Sequence, residues 1–226
     1  MSSPKPNRAS FFVDGFNLYH SICSVGYKLG VPPPKWLDLK GLLTDHLDLV
    51  GVGATIEDIH YYTAFAEHLT KKNPEKVRRH RAYVRALTAN GIKAVNHHFT
   101  KKDTWDSYTN EKFVTHEEKE TDVAIACNVL EGAALNQYDT AVLVTGDTDL
   151  RPVVLTFRKL YEDKRLLFAF PFDRKNRQLQ QAVPGSFTLS AESYMNHMLP
   201  DKVRLPSKKY VHCPAEWMSE DKNEQY

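Results

Sequence analysis

Three stretches of the chain carry aspartates in a pattern that could bind a divalent metal ion. Asp14 follows the apolar run SFFV, and Asp147 and Asp149 follow the apolar run AVLV. Asp122 begins an otherwise apolar helical stretch. Carboxylates that converge on one spot repel each other unless a cation compensates their charge. Mg²⁺ or Mn²⁺ suits this role because both prefer oxygen ligands, and either ion can activate water and neutralise charge on a phosphate.

Each aspartate taken alone also has a simpler interpretation. Asp122, Asp147 and Asp149 could each cap the helix that follows, where the helix dipole favours a carboxylate. The metal interpretation becomes the stronger one only if the three stretches converge at the carboxyl ends of strands. The hypothesis therefore depends on the elements that would position these residues.

Short apolar strands alternate along the chain with helical patterns of roughly ten residues or more, which predicts a parallel sheet covered on both faces. In such sheets, ligands bind beyond the carboxyl ends of the strands, near the topological switch point. Asp14 and Asp147 fall at such strand ends. The predicted strands are residues 10–13, 56–65, 92–99, 140–145, 165–170 and 186–189. The predicted helices include residues 16–23, 74–89, 118–135, 150–161 and 175–182, with a hairpin or excursion at 100–117.

Length and composition favour one α/β domain with a short attachment. The chain has 226 residues, 42% of them hydrophobic, which is enough to form a core without disulfides or a structural metal. Its three cysteines show no ligand spacing, and no apolar run is long enough for a membrane span or a signal peptide. We therefore expect a cytoplasmic protein with no membrane association, a domain at residues 8–198 and a polar tail at 199–226.

The net charge is only +2, but residues 71–102 contain ten Lys and Arg against a single acidic residue. Asn73 and Pro74 predict the start of a basic helix in this segment. A solvated helix face is the simpler interpretation, and a phosphate-binding rim for nucleic acid is the alternative that a neighbouring phosphoryl-transfer site favours. The predicted phosphate contacts are Lys71, Lys72, Arg78, Arg81, Arg85, Lys101 and Lys102, within a basic rim that also includes Lys76 and Arg79. Aromatic residues that could stack on single-stranded bases are Tyr19, Tyr83, Trp105 and Tyr108.

The segments VDGFNLYHS, KETDVAIACNVL and VLVTGDTDLRPVV resemble the three signature segments of the NYN domain, a branch of the PIN-like nuclease superfamily. The resemblance extends over roughly residues 10–195. It implies a Rossmann-like, three-layer α/β/α fold with a mainly parallel sheet, and metal-dependent hydrolysis of phosphodiester bonds, usually in RNA.

The resemblance also implies roles for individual residues. Asp14, Asp122 and Asp147 would form the acidic triad around Mg²⁺ or Mn²⁺, and Asp149 would support them as a fourth acid. Asn17 would hydrogen-bond near the scissile phosphate or orient Asp14. Thr145 would place a hydroxyl beside the site.

One position departs from the family pattern. Similar NYN proteins often carry an aspartate nearly two helical turns after the middle acid, where this chain has Asn128. An asparagine adds no negative charge, so a second metal ion would bind less tightly. This leaves three functions open: a ribonuclease, a non-catalytic module that binds RNA or a partner, and, less favoured, a phosphatase for small nucleotides. A homodimer also remains open, as do the roles of residues 25–37 and of the tail after Pro200, either of which could be a lid or a subunit contact.

Overall fold

The computed structural model describes residues 7–106 and 111–218 of the chain. The strands are β1 Asn7–Asp14, β2 Ala54–Ala64, β3 Lys93–His97, β4 Phe99–Asp106, β5 Glu111–Glu118, β6 Thr140–Val144, β7 Arg165–Phe170, β8 Phe187–Thr188, β9 Lys202–Arg204 and β10 Tyr210–His212. The helices are α1 Gly15–Leu29, α2 Leu39–Thr44, α3 Leu47–Val50, α4 Pro74–Ala89, α5 Thr121–Ala134, α6 Arg151–Leu160, α7 Arg177–Ala182, α8 Ala191–Asn196 and α9 Ala215–Met218.

The centre of the fold is a parallel sheet of six strands in the order β3-β2-β1-β6-β7-β8. Its inner strands are buried on both faces, which explains their nearly continuous apolar sequences. The chain runs from β1 to β2 on one side, and β6 pairs with the other side of β1. The gap between the carboxyl ends of β1 and β6 is therefore the topological switch point of the sheet.

Helices cover both faces of this sheet, as the sequence predicts. Contacts place α1 and α4 on one face, and α5 and α6 on the other. Alternate residues of β2 contact these two layers: the Tyr61 ring packs against Tyr83 of α4, and the Tyr62 hydroxyl accepts a hydrogen bond from Asn128 of α5. The three-layer α/β/α architecture is confirmed.

The helix of the basic segment begins and ends where the sequence predicts. The Asn73 side chain caps α4 by accepting from the Lys76 backbone N–H, and Pro74 occupies the first turn. Val77 and Leu87 are buried against the core, as the spacing of apolar residues requires. The predicted hairpin is also present, formed by the antiparallel pair β4 and β5.

Regular structure continues beyond Pro200, inside the segment predicted to be a polar tail. There β9 and β10 form a short antiparallel hairpin, followed by α9. Val203 and Val211 face each other in this hairpin and are buried, while their neighbours are exposed. One apolar residue in each short strand is a weak sequence signal, because it becomes informative only when α4 is known to lie beneath.

In the described part of the chain, none of the helices combines the length and the apolar character that crossing a bilayer would require.

Candidate functional site

Three predicted site residues meet at the switch point of the sheet. Asp14 ends β1, Asp147 lies in the loop after β6, and Asp122 is in the first turn of α5. One carboxylate oxygen from each lies within 4.8 Å of those of the other two. Asp14 is 5% exposed, and the other two are partly exposed. The cluster therefore has a buried floor and an open side.

Asp14 is fixed by hydrogen bonds to both carboxylate oxygens. Its Oδ1 accepts from the backbone N–H groups of Phe16 and Asn17, at 3.1 and 2.9 Å, and so caps α1. Its Oδ2 accepts from the Thr145 hydroxyl at 3.0 Å. The Thr145 hydroxyl oxygen in turn accepts from the backbone N–H of Asp147 at 3.1 Å. Thr145 thus connects two of the three aspartates.

A second hydrogen bond joins α1 to the loop after β6. The Asn17 side-chain oxygen accepts from the Gly146 backbone N–H at 3.2 Å. Gly146 also lies against the backbone of Arg174, where a Cβ atom would overlap the Arg174 carbonyl oxygen. Only glycine allows this approach, which explains the glycine between Thr145 and Asp147.

Asp122 reaches the cluster through an unusual backbone conformation. Glu120, just before α5, has a left-handed backbone with φ of 77°, which turns the chain from β5 into the helix. Burial, followed by the charges of Asp147, Asp14 and Asp149 in that order, raises the pKa of the Asp122 carboxyl to about 6. The N-terminal helix dipole favours an ionised carboxylate here, but it is outweighed by desolvation and like charge.

The donor set fits a hard divalent cation. Three carboxylates provide an all-oxygen set, which Mg²⁺ and Mn²⁺ prefer. Burial and, after it, the neighbouring carboxylates raise the pKa of Asp122, and a bound cation would favour its ionised form. Asp14, Asp122 and Asp147 are therefore the residues that could hold such an ion.

Asp149 lies at the edge of the cluster. Its carboxylate is outside the group of three, and the residue is exposed. Its backbone N–H donates to Asp147 Oδ1 at 2.9 Å, and its charge adds to the field at Asp122. In this structure Asp149 therefore supports Asp147 through its backbone and contributes negative charge.

Asn128, the position that departs from the expected family pattern, donates its side-chain NH₂ to the Tyr62 hydroxyl at 2.9 Å. Burial raises the pKa of Tyr62 to about 12, so its hydroxyl stays protonated. Tyr62 pairs with Asp14 in the β1–β2 register. Asn128 therefore contributes a neutral hydrogen bond beneath the site.

The predicted phosphate contacts divide into two groups. Lys71 and Lys72 precede α4, and Lys101 and Lys102 lie on β4. All four are exposed and belong to segments that follow the carboxyl ends of β2 and β3. They therefore lie on the side of the sheet formed by the carboxyl ends of the strands, where the aspartates also lie.

The arginines of α4 are placed differently. Arg78 pairs with Glu75 and Glu216, and Arg81 pairs with Glu67. Arg85 lies eleven residues after Pro74, about 16 Å further along the helix axis. Tyr83 is 5% exposed and donates to the Leu37 carbonyl, so its ring is not available at the surface for stacking. Trp105 is 57% exposed, and Tyr108 lies outside the described residues.

A cavity of about 380 Å³ lies beside the aspartate cluster, between α1, the end of β2 and α4. The first residues after Asp14, Gly15 and Phe16, contribute to its wall. Its lining includes Lys35 and Arg79, which are 9% and 8% exposed. Arg79 belongs to the basic rim predicted from the sequence, but Lys35 was not identified there. Lys76, Arg79 and Tyr83 have the i, i+3, i+7 spacing of one helix face, and that spacing was the available signal.

Comparison with known families gives a match over most of the chain. The profile of the NYN domain matches residues 8–190, a range that contains the aspartates and most of the cavity lining. A curated relative, the 6-hydroxy-3-succinoylpyridine 3-monooxygenase HspA of Pseudomonas putida (strain DSM 28022 / S16), is 26% identical over 201 residues. The aligned part is 76% of this chain and 62% of that protein, so the chain spans less than two thirds of the relative.

A solved structure shares the fold. The crystal structure of VPA0982, a protein of unknown function from Vibrio parahaemolyticus RIMD 2210633, superposes with a TM-score of 0.55. It covers 88% of this chain and 100% of its own chain at 15% sequence identity. At this identity the similarity supports the α/β architecture alone.

Proposed function

Since the chain belongs to the NYN domain family, we propose that it is a metal-dependent nuclease, and specifically an endoribonuclease that hydrolyses phosphodiester bonds in RNA. The observation that carries this proposal is the convergence of three carboxylates within 4.8 Å at the switch point of a parallel sheet. Family membership supports nuclease-like chemistry, and the cluster is compatible with it.

In the proposed site, Asp14, Asp122 and Asp147 hold one or two Mg²⁺ or Mn²⁺ ions, and Asp149 adds negative charge at the open side. When bound, the ion supplies charge neutralisation at the phosphate and activation of a water nucleophile. A neutral Asn128 reduces the total charge near the site and favours one strongly bound ion over two.

The chain's own residues position and stiffen this site. Thr145 donates to Asp14 and accepts from the Asp147 backbone, so it keeps the two carboxylates in register. Asn17 accepts from the Gly146 backbone N–H and holds the loop after β6 against α1. Both residues act in this proposal as positioning residues, since each makes a hydrogen bond between the loop after β6 and the junction of β1 and α1.

RNA binding is assigned to the exposed lysines at the same sheet edge. Lys71, Lys72, Lys101 and Lys102 would contact backbone phosphates that flank the cleaved bond. Arg78 and Arg81 contribute less because each already pairs with a glutamate. Arg85 would contact only RNA long enough to follow α4. This arrangement supports binding of the strand without base specificity.

Replacing Asp147 with asparagine tests the proposal. Asp147→Asn removes one carboxylate, while the asparagine oxygen can still accept from the Asp149 N–H. We expect cleavage of a labelled single-stranded RNA in Mn²⁺ to fall by about 100-fold or more, with thermal stability retained. Asp163→Asn is the matched control, because Asp163 is exposed and follows α6, away from the cluster. EDTA should abolish cleavage by the unaltered protein.

Full activity in Asp147→Asn would refute the assignment of the site. Metal-independent RNA binding with no cleavage products in Mg²⁺ or Mn²⁺ would support the second candidate, a non-catalytic module that binds RNA or a partner. The observation that favours this second candidate is Asn128, whose amide makes a neutral hydrogen bond to Tyr62 where an acid would strengthen a metal site. Release of inorganic phosphate from mononucleotides, with intact oligonucleotides, would indicate a phosphatase.

The reaction in the name of the Pseudomonas relative is not transferred to this chain, because 26% identity over part of that protein supports no shared substrate. A homodimer, a cytoplasmic location and the division at residue 198 remain predictions.

A further inference from the structure

The cavity beside the aspartates has the size and shape of a ligand site. Its volume, about 380 Å³, lies within the range of roughly 300–1,000 Å³ that is typical for small-molecule sites. Its walls come from α1, β2, α4, the connection after α1 and α9. These elements are distant in sequence, so the tertiary fold builds the cavity.

The charged side chains that line this cavity are cationic. Lys35, Lys76 and Arg79 contribute to the lining, and no aspartate or glutamate of the described residues does. Glu216 pairs with Arg79 at 3.4 Å from outside the lining and compensates part of this charge. Burial, together with the smaller effect of the Lys76 charge, lowers the pKa of His80, another lining residue, to about 4. An anionic group is therefore the favoured occupant.

The rest of the lining is rich in aromatic rings. Phe16, Tyr19, Tyr61, Phe99 and Trp217 all border the cavity. The indole N–H of Trp217 is buried and makes no hydrogen bond to any described residue. A planar ring with hydrogen-bond acceptors would fit these surroundings, since rings stack on aromatic side chains and an acceptor could satisfy the indole.

The cavity and the aspartate cluster are connected by the first turn of α1. Asn17 of this turn faces the cluster and binds Gly146, while Phe16 and Tyr19 face the cavity. We propose that the cavity binds one nucleotide of the substrate strand, adjacent to the phosphate at the aspartates, with its base among the aromatic rings and its phosphate at Lys76 and Arg79. The position next to a scissile phosphate rests on the proposed function, whereas the ability to bind a nucleotide does not.

Binding of mononucleotides to the full chain, measured by isothermal titration calorimetry in EDTA, tests this assignment independently of cleavage. Adenosine and uridine 5′-monophosphates should bind saturably and more tightly than inorganic phosphate, because the base adds contacts. Lys76→Met should weaken binding by about tenfold, since it removes a cation from the lining. Phe16→Leu should weaken binding of the nucleotide but not of inorganic phosphate. Lys159→Met, an exposed lysine on α6, is the matched control and should leave the affinity unchanged.

Three results would overturn the assignment. Nucleotides that bind no better than inorganic phosphate would leave a simple anion site. Nicotinate that binds more tightly than any nucleotide would assign the cavity to free aromatic acids. Unchanged nucleotide affinity in both Lys76→Met and Phe16→Leu would place the nucleotide elsewhere. A fourth result would separate the two proposals. If the unaltered chain binds mononucleotides but cleaves no RNA in Mg²⁺ or Mn²⁺, the proposed function is refuted and the nucleotide site stands.

Discussion

Asp14 and Asp122 have different surroundings within the cluster. Asp14 accepts three hydrogen bonds from backbone and hydroxyl donors. For Asp122, burial and the charges of three other aspartates raise the pKa to about 6. Ionisation of Asp122 is therefore less favourable in the folded protein than in the unfolded chain.

This pKa predicts a pH-dependent cost to folding in the absence of metal. A carboxyl whose pKa is higher in the folded protein binds more protons there than in the unfolded chain. The contribution of the protonated Asp122 carboxyl to the stability of the folded protein is fully present below about pH 4. It is lost as the pH rises through about 6. In EDTA, Asp122→Asn should therefore gain in melting temperature over the unaltered protein as the pH rises from about 4 to about 7.

The measurement is thermal unfolding of both proteins across this pH range. Asp163→Asn serves as the control, because it removes a carboxylate outside the cluster, and its difference from the unaltered protein should stay constant. A difference for Asp122→Asn that is equally constant would contradict the assigned pKa.

At the scale of elements, the site depends on the fit between two loops. The loop after β6 approaches the backbone of Arg174 at Gly146 and is held to α1 by Asn17. The loop carries both Thr145 and Asp147, so a shift of its backbone moves a carboxylate and the hydroxyl that orients another. Glycine at residue 146 is therefore a requirement of site geometry.

Gly146→Ala should accordingly weaken metal binding as well as stability. The added Cβ would overlap the Arg174 carbonyl oxygen, and backbone cannot move aside as a flexible side chain can. We expect an Mn²⁺ affinity at least about tenfold lower, measured by calorimetry, together with a lower melting temperature. The comparison is Gly30→Ala at the far end of α1, where φ is 65° and no atom lies within 4 Å.

Gly30→Ala should cost about 1 kcal/mol through its left-handed backbone and leave the Mn²⁺ affinity unchanged. Equal losses of Mn²⁺ affinity in the two variants would show that general destabilisation, and not loop geometry, governs the site.

At the scale of the whole molecule, negative and positive side chains occupy separate regions at the carboxyl ends of the strands. The aspartates lie at the switch point, and exposed lysines follow the carboxyl ends of β2 and β3. A net charge of only +2 conceals this separation. The lysines provide a positive field that can hold a polyanion against the negative cluster.

The salt dependence of RNA affinity should therefore come from these lysines more than from Arg85 at the far end of α4. The double variant Lys71→Gln with Lys72→Gln should bind single-stranded RNA more weakly, and the slope of log affinity against log salt should fall by about 0.7 for each lost phosphate contact. Arg85→Gln should change the slope less for a short RNA. Fluorescence anisotropy in EDTA at several salt concentrations measures both; equal slopes for the two variants would contradict the assigned binding edge.

The sequence by itself determined the architecture and the strand ends that carry the acids. Parallel strands buried on both faces need long apolar runs, so β6 and β7 were recognisable without tertiary information. The cap of α4 at Asn73 was equally local. Local signals of this kind depend on neighbours in the chain, which the sequence lists directly.

Only the tertiary structure decided how these pieces meet. The pKa of Asp122, the contact of Gly146 with Arg174 and the cavity between α1 and α4 all depend on distances between segments far apart in the chain. The same holds for Tyr83, whose place in the core was hidden because buried and exposed aromatic residues look alike in a helix. Periodicity identifies a face of a helix, but only packing shows whether that face meets solvent, a cavity or another element.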